Sequence, residues 1–365
     1  MSLRPVKPRS RRRAGVPHPT ASSASKQPTI RDVAHAARVS VATVSNVMNN
    51  RSSAVGEKTR KMVRHHIERL GYRTHAAGRG LRTSRRNLVA MVMIDESANY
   101  LSDPFVANLV AGFTDAVNSR GYATVVHGCR RGDLEDTVVI KTLGVDGFCL
   151  SLSGDAAARA DLLTRLRELN QPLVLAQETL IKPNKDVCIV RQDDFGGGLQ
   201  LADHLIARRV QHLAVVVPKL EWPSFSARLE GLRAGIRRTG QTPKIEVIRA
   251  ESEGFVDCVA VVAEYLAAGN RPDAIVGGND QIGLSAMYAI RSAGLSVPKD
   301  VLVTGFNALD FWQYSTPRLT TVRSRPREVG AAAGDSLIQR LETGTFRDNE
   351  IVLPVALIAA ESTER

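Results

Sequence analysis

The chain has few cysteines: four in 365 residues, Cys129, Cys149, Cys188 and Cys258, each standing alone with no CxxC pair. Zinc ribbons and dithiol redox centres need that pairing, so the expectation is buried free thiols in a reducing compartment. Long apolar runs are also missing. The longest, such as 88–94, have the length of a strand and fall well short of a membrane span. Arginines at 11–13 are followed by no apolar segment, which argues against a secretion signal and implies the cytoplasm. The spacings of common catalytic centres are missing too: there is no P-loop, no G-x-S-x-G and no metal-spaced histidine pair. His65 and His66 are adjacent on a helical stretch and point different ways. No cofactor, metal or enzymatic activity is expected. Acids are nearly missing from the first 85 residues, where 19 Lys and Arg stand against Asp32, Glu57 and Glu68; the rest of the chain is mildly acidic and the net charge is +12. A basic head on an acidic body points to a polyanionic partner for the head alone.

What is present begins with residues 1–28, rich in Arg, Pro and Ser. They lack the apolar side chains to offset ordering and read as a disordered basic arm, either an aid to DNA attraction or an inert tail. Residues 29–73 read as three helices, over 30–37, 41–49 and 57–70. Ile30, Val33, Ala34 and Ala37 share one face, Val44, Val47 and Met48 continue it, and Val63, Ile67 and Leu70 close the core. Gly71 then stops the third helix. The first two helices, joined by a tight turn, form a helix-turn-helix able to enter the DNA major groove. Ser40 is placed to cap the second helix near Thr43. Val41 and Ala42 can touch thymine methyls, and Asn46 can pair with adenine. Thr29, Thr43, Ser45 and Asn49 are short donors suited to phosphate oxygens.

Residues 74–87, polar and basic with Gly78 and Gly80, read as a hinge or linker. From 88 onward, strand-like and helical runs alternate. Strands are expected over 88–94, 122–126, 147–150 and 173–176, then 213–217, 244–249, 274–276 and 301–305. Helices are expected over 106–119, 161–169, 198–208, 228–239, 256–268 and 282–293. This alternation predicts an α/β core of two doubly wound parallel-sheet lobes with a ligand cleft between them. Lobe 1 is expected at about 88–190 plus 323–345, and lobe 2 at about 191–320 plus 347–362.

The stretch from Thr29 to Asn49, T-I-R-D-V-A-H-A-A-R-V-S-V-A-T-V-S-N-V-M-N, resembles the headpiece of the lactose/galactose repressor (LacI/GalR) family, and the likeness runs on to about residue 362. It implies an all-α headpiece, a hinge and a core akin to periplasmic sugar-binding proteins. It makes Val41, Ala42 and Asn46 base-reading positions. It makes Leu81 a minor-groove wedge and Arg79 a groove or phosphate contact. In the core, the matching segments are Ser102–Phe105, Arg191–Asp194, Ser226–Gly231, Gly278–Asp280 and Gly305–Asn307. Asp103, Asp193 and Arg228 thereby become effector-binding candidates. Arg228 can clamp a carboxylate or adjacent hydroxyls. Gln177, Asn279 and Asn307 can donate and accept, as sugar hydroxyls require, and Phe105 and Phe255 can cover an apolar face. Three departures stand out. Arg38 replaces the glycine usual in the turn, two glycines replace the small residues of the hinge, and Asn307 replaces an aspartate. The last leaves room for a sugar acid, nucleoside or other polar metabolite. The implied function is a homodimeric regulator, with repression the expected output. It would bind a pseudo-palindromic operator in double-stranded DNA under control of a small effector, with no membrane partner. A small-molecule binding protein without regulatory role, and an enzyme with a DNA-binding head, are the alternatives.

Overall fold

The computed structural model describes residues 28–48, 55–72, 85–95, 100–179 and 185–364. The chain divides into two compact units, at Ser84/Arg85. The first holds α1 (Ile30–Ala36), α2 (Val41–Met48) and α3 (Glu57–Leu70). Its core joins Val33, Ala34, Ala37, Val44, Val47 and Val63, with Ile30, Met48, Ile67 and Leu70 packed against it, so the expected faces meet. Thr29 and Asp32 form a reciprocal capping box on α1. The Ser40 hydroxyl accepts from the Thr43 amide at 3.0 Å, opening α2. Gly71 takes φ +63° behind α3. Arg38 sits in the turn at φ +50°, a left-handed conformation that strains a side chain with a Cβ.

The second unit contains two parallel sheets. The larger uses β1 (Leu88–Ile94), β2 (Ala123–Cys129), β3 (Phe148–Leu152), β4 (Leu173–Ala176), β5 (Val187–Gln192) and β11 (Glu350–Leu353), in the order β11-β5-β4-β3-β1-β2. Alternation along β1 shows why helices cover both faces. Val89, Met91 and Met93 join the cluster packed under α4 (Pro104–Ser119) and α10 (Pro326–Thr343). Ala90, Val92 and Ile94 join leucines of α5 (Ala156–Arg167). The smaller sheet has the order β7-β6-β8-β9, from β6 (His212–Pro218), β7 (Lys244–Ala250), β8 (Ala274–Gly277) and β9 (Leu302–Thr304). Packed with it are α6 (Asp194–Ala207), α7 (Pro223–Arg238), α8 (Phe255–Ala267) and α9 (Asp280–Ser292). A short antiparallel pair, β10 (Thr321–Arg323) with β12 (Ala356–Ile358), completes the fold.

Two boundaries differ from the expectation. Arg86 belongs to the core, because its amide bonds to Asp146 at 3.0 Å and its guanidinium to the Leu143 carbonyl. Residues 350–353 belong to the first lobe: β11 pairs in parallel with β5, and Ile351 and Leu353 pack on that lobe's core. The chain therefore returns to the second lobe after Leu353 and not at 347. The strand expected before Asp193 is β5, whereas the helix α10 was not expected from the sequence pattern. The rest of the expected hinge, with Arg79 and Leu81, lies outside the described residues, as does Asn49.

The cysteines are all free; three are buried and Cys129 is half-buried. Burial pushes the Cys258 thiol up to about 12 and the Cys129 thiol up to about 11, which leaves little thiolate at neutral pH.

Arg38→Gly should raise the stability of the helical unit by on the order of 1 kcal/mol, as left-handed strain is relieved. Urea unfolding of the full chain followed by circular dichroism measures this; unchanged or lowered stability would contradict the strain.

Candidate functional site

On the helical unit, α2 turns one face outward. Val41 is 42% exposed, Ala42 is exposed, and Thr43, Ser45 and Asn46 are half-buried. Thr29 and Ser40 are exposed at the two helix starts, although each hydroxyl is already engaged in a cap. The apolar side of α2, Val44 and Val47, is wholly spent on the core. The outward face is left with two small apolar groups and one amide in the first turns, where a recognition helix meets base edges.

In the second unit a cavity, open at its mouth, lies between the lobes. Asp103, Phe105, Ser151 and Gln177 come from the first lobe; Trp222, Phe225, Arg228, Glu253, Asn279 and Asn307 come from the second. Four of the polar side chains are positioned by the ends of elements. Asp103 caps α4, accepting from the Phe105 amide at 2.8 Å. Asn279 caps α9, accepting from the Ile282 amide at 2.9 Å, while its amide nitrogen donates to Glu253 at 2.5 Å. Gln177 and Asn307 occupy left-handed backbone at φ +64° and +119°. Such strain clusters where a side chain must be aimed.

Arg228 sits on the cavity floor, 8% exposed, against Phe306 with its guanidinium carbon 3.8 Å from the ring centroid. Its Nε donates to Asp194 at 2.8 Å, one terminal nitrogen to the Gly278 carbonyl at 2.7 Å, and the other to Asn307 at 3.3 Å. Three of its five N–H groups are thus committed, and two are left for a ligand. The helices beneath it touch through glycine. A Cβ on Gly198 of α6 would collide with the Arg228 carbonyl oxygen, and one on Gly231 of α7 would collide with that of Phe195.

The carboxyls of the cavity are unusually reluctant to ionise. Burial, then the nearby Asp103 charge, pushes Glu253 up to about 7 against an ordinary 4.5, with Arg228 pulling the other way. Burial also raises Asp103, opposed by its bond from the Phe105 amide and by Arg228. Behind the cavity, burial pushes Asp280 up to about 7, resisted by the Thr321 hydroxyl that donates to it at 2.5 Å. Among the described residues no group of His, Cys, Asp and Glu is arranged to hold a metal. No described helix is long and apolar enough to cross a membrane.

Residues 29–75 match the family described as bacterial regulatory proteins, lacI family, and residues 202–363 match the periplasmic binding protein-like domain. The chain thus carries a LacI-family helix-turn-helix domain and a periplasmic-binding-protein-like domain. It is 29% identical over 340 residues to the HTH-type transcriptional regulator CelR of Thermobifida fusca, covering 92% of this chain and 98% of that protein. It is 27% identical over 334 residues to the ribose operon repressor of Escherichia coli, covering 90% and 98%. A solved complex of CelR with cellobiose has 27% identity and a TM-score of 0.67 over 92% of this chain and 99% of that one. The Lac repressor dimer bound to operator and an anti-inducer, at 24% identity, shares the fold with a TM-score of 0.82 over 93% and 100%.

Within this LacI-family frame, six of the eight expected effector residues line one cavity: Asp103, Phe105, Gln177, Arg228, Asn279 and Asn307. The other two do not. Asp193 turns back to cap α6, accepting from the Gly196 amide at 2.8 Å. Phe255 opens α8 with 54% exposure and packs edge-to-face on Tyr288, centroids 5.2 Å apart. The aromatic cover comes instead from Trp222 and Phe225. Phe225 precedes Arg228 by three residues on α7, a helical spacing that offered the signal. Glu253 carried no signal, since Glu251-Ser252-Glu253-Gly254 reads as a solvated acidic loop. Asp194, next to Asp193 in the segment that resembles the family, is the residue that holds Arg228.

Gly198→Ala should force α6 and α7 apart, costing about 1–3 kcal/mol as overpacking does; urea unfolding measures it, and a neutral outcome would mean the crossing is slack. The Glu253 proton makes a pH prediction. The folded chain keeps it to about pH 7 while the unfolded chain releases it near 4.5. Its contribution is therefore fully present below 4.5 and is lost as pH rises through 7. Glu253→Gln should gain stability relative to the parent as pH goes from 5 to 8; parallel unfolding curves across that range would refute the buried proton.

Proposed function

We propose that this chain is a homodimeric, effector-controlled transcription regulator. Repression is its output, by binding a pseudo-palindromic operator. The observation that carries the reading is the pairing, in one chain, of a capped helix whose outward face is free for base edges with a two-lobed cavity floored by Arg228. Val41, Ala42 and Asn46 read bases, while Thr29, Ser40, Thr43, Ser45 and Asn49 position the helix on phosphates. Leu81 acts in the minor groove, and Arg79 contacts the groove or a phosphate. A small polar metabolite of the sugar or sugar-derivative class binds the cavity. It alters operator affinity through the lobes, a coupling of typically about 1–3 kcal/mol. Relatives described with cellobiose and as a ribose operon repressor support that ligand class.

The homodimer has a candidate surface. Phe255, Val256 and Tyr288 are large apolar side chains on α8 and α9 with exposures of 54%, 75% and 49%, and two of them are in ring contact. Contiguous exposed apolar groups of this kind mark an interface. Two-fold pairing there matches a palindromic site.

The reading is tested by fluorescence anisotropy on operator duplexes selected from random sequence. Affinity should fall steeply with salt, and Asn46→Ala should cost about 1–3 kcal/mol and relax one base position. Sequence-indifferent binding would overturn it. Tyr288→Asp should shift the chain to monomer by analytical ultracentrifugation and weaken operator binding; a dimer that persists would place the interface elsewhere.

A further inference from the structure

Three charged side chains line the cavity, Asp103, Glu253 and Arg228. The charge of Arg228 is already answered: its Nε lies 2.8 Å from Asp194, itself 5% exposed just below the floor. Asp103 and Glu253 have no such answer. Neither forms an ion pair among the described residues. Asp103 accepts from the backbone amides of Phe105 and Val106, and Glu253 from the Asn279 amide group, all neutral donors. Two carboxylates thus face one confined space from opposite lobes, beside the aromatic rings of Phe105 and Trp222.

Such a space is hostile to an anion, which would meet both acids and a guanidinium already neutralised. It is indifferent to a neutral hydroxyl, which leaves the two like charges unrelieved. An ammonium changes the sign of the problem. Its three N–H groups fit two carboxylates, its charge offsets theirs in a low-dielectric setting, and the ring faces favour a cation. Because the acids belong to different lobes, the same ammonium would draw the lobes together.

Resting on the reading of this cavity as the effector site, we infer that the effector carries a positively charged amine seated between Asp103 and Glu253, with its hydroxyls on Arg228, Asn279, Asn307 and Gln177. The class is an amino sugar or comparable polyhydroxylated amine, and not the sugar acid that Asn307 alone had left open. The raised proton affinity of Glu253 agrees, since burial and Asp103 cause it. The charged groups that act on Glu253 are Asp103 and Asp95 of the first lobe and Arg228 of α7, while Asp257 and the Cys258 thiol lie on the adjoining α8. An ammonium bound there would displace the Glu253 proton to solvent.

The test is calorimetry at pH 7 on the full chain with matched probes. These are glucosamine, glucose, glucuronate and N-acetylglucosamine, the galacto counterparts, and cellobiose against its diamino analogue. The expected result is that an amine binds at least tenfold tighter than its neutral, acidic and acetylated partners, with proton release seen as a buffer-dependent enthalpy. Glu253→Gln and Asp103→Asn, each checked for folding by thermal melt, should weaken the amine at least tenfold and by a larger factor than any neutral probe. A neutral or acidic probe that binds tighter than its amine overturns the inference while the effector cavity stands. Amine affinity that is unchanged in Glu253→Gln overturns it equally. A chain that binds operator but none of the probes would count against both.

Discussion

One buried carboxylate holds the functional core together. Asp194 accepts from the Arg228 guanidinium at 2.8 Å, from Gln192 at 2.9 Å and from Gln177 at 3.1 Å. Gln177 follows β4 and Gln192 ends β5 in the first sheet, whereas Arg228 belongs to the second lobe. The Gln192 amide in turn donates to the Gln177 side chain at 2.8 Å, closing the network. A charge taken this far from water is tolerated only when fully paired and bonded, and removal of one partner strands the other. The ends of β4 and β5, the cavity floor and the second lobe are therefore coupled through a single group. Any ligand that pulls on Arg228 pulls on the point where the lobes join.

Glycine supplies the close approach that lets this network form. In both lobes a helix pair touches backbone to backbone. In the second lobe the pair is α6 with α7. In the first it is α4 with α10, where a Cβ on Gly330 would strike the Leu109 carbonyl. The crossing in the second lobe lies within one turn of Arg228, so the guanidinium is placed by helix spacing as much as by its own hydrogen bonds.

How far the sequence could be read varied by region, for physical reasons. The helical unit was legible almost residue by residue, because its core is one amphipathic stripe per helix and its ends carry local caps. The strands of both sheets were visible as apolar runs. The helix α10 was obscured by Gly330 and Gly334. Those residues weaken helix propensity, and the packing against α4 requires Gly330. The edge strand β11 alternates in burial and reads equally well as a solvated loop.

The cavity shows the same division. Its polar members sit at element ends, in motifs that local pattern and family likeness single out. Periodicity, caps and charge, all short-range properties, are enough to determine a basic helix-turn-helix head and a two-lobed α/β body. Which side chains share a space is a long-range matter. Asp103 and Glu253 are 150 residues apart in the chain, and only the folding of the two lobes against each other brings them to one cavity. Phe255 and Asp193 turn away for the same reason: their neighbours in the fold, Tyr288 and the start of α6, are not those that a linear reading would supply.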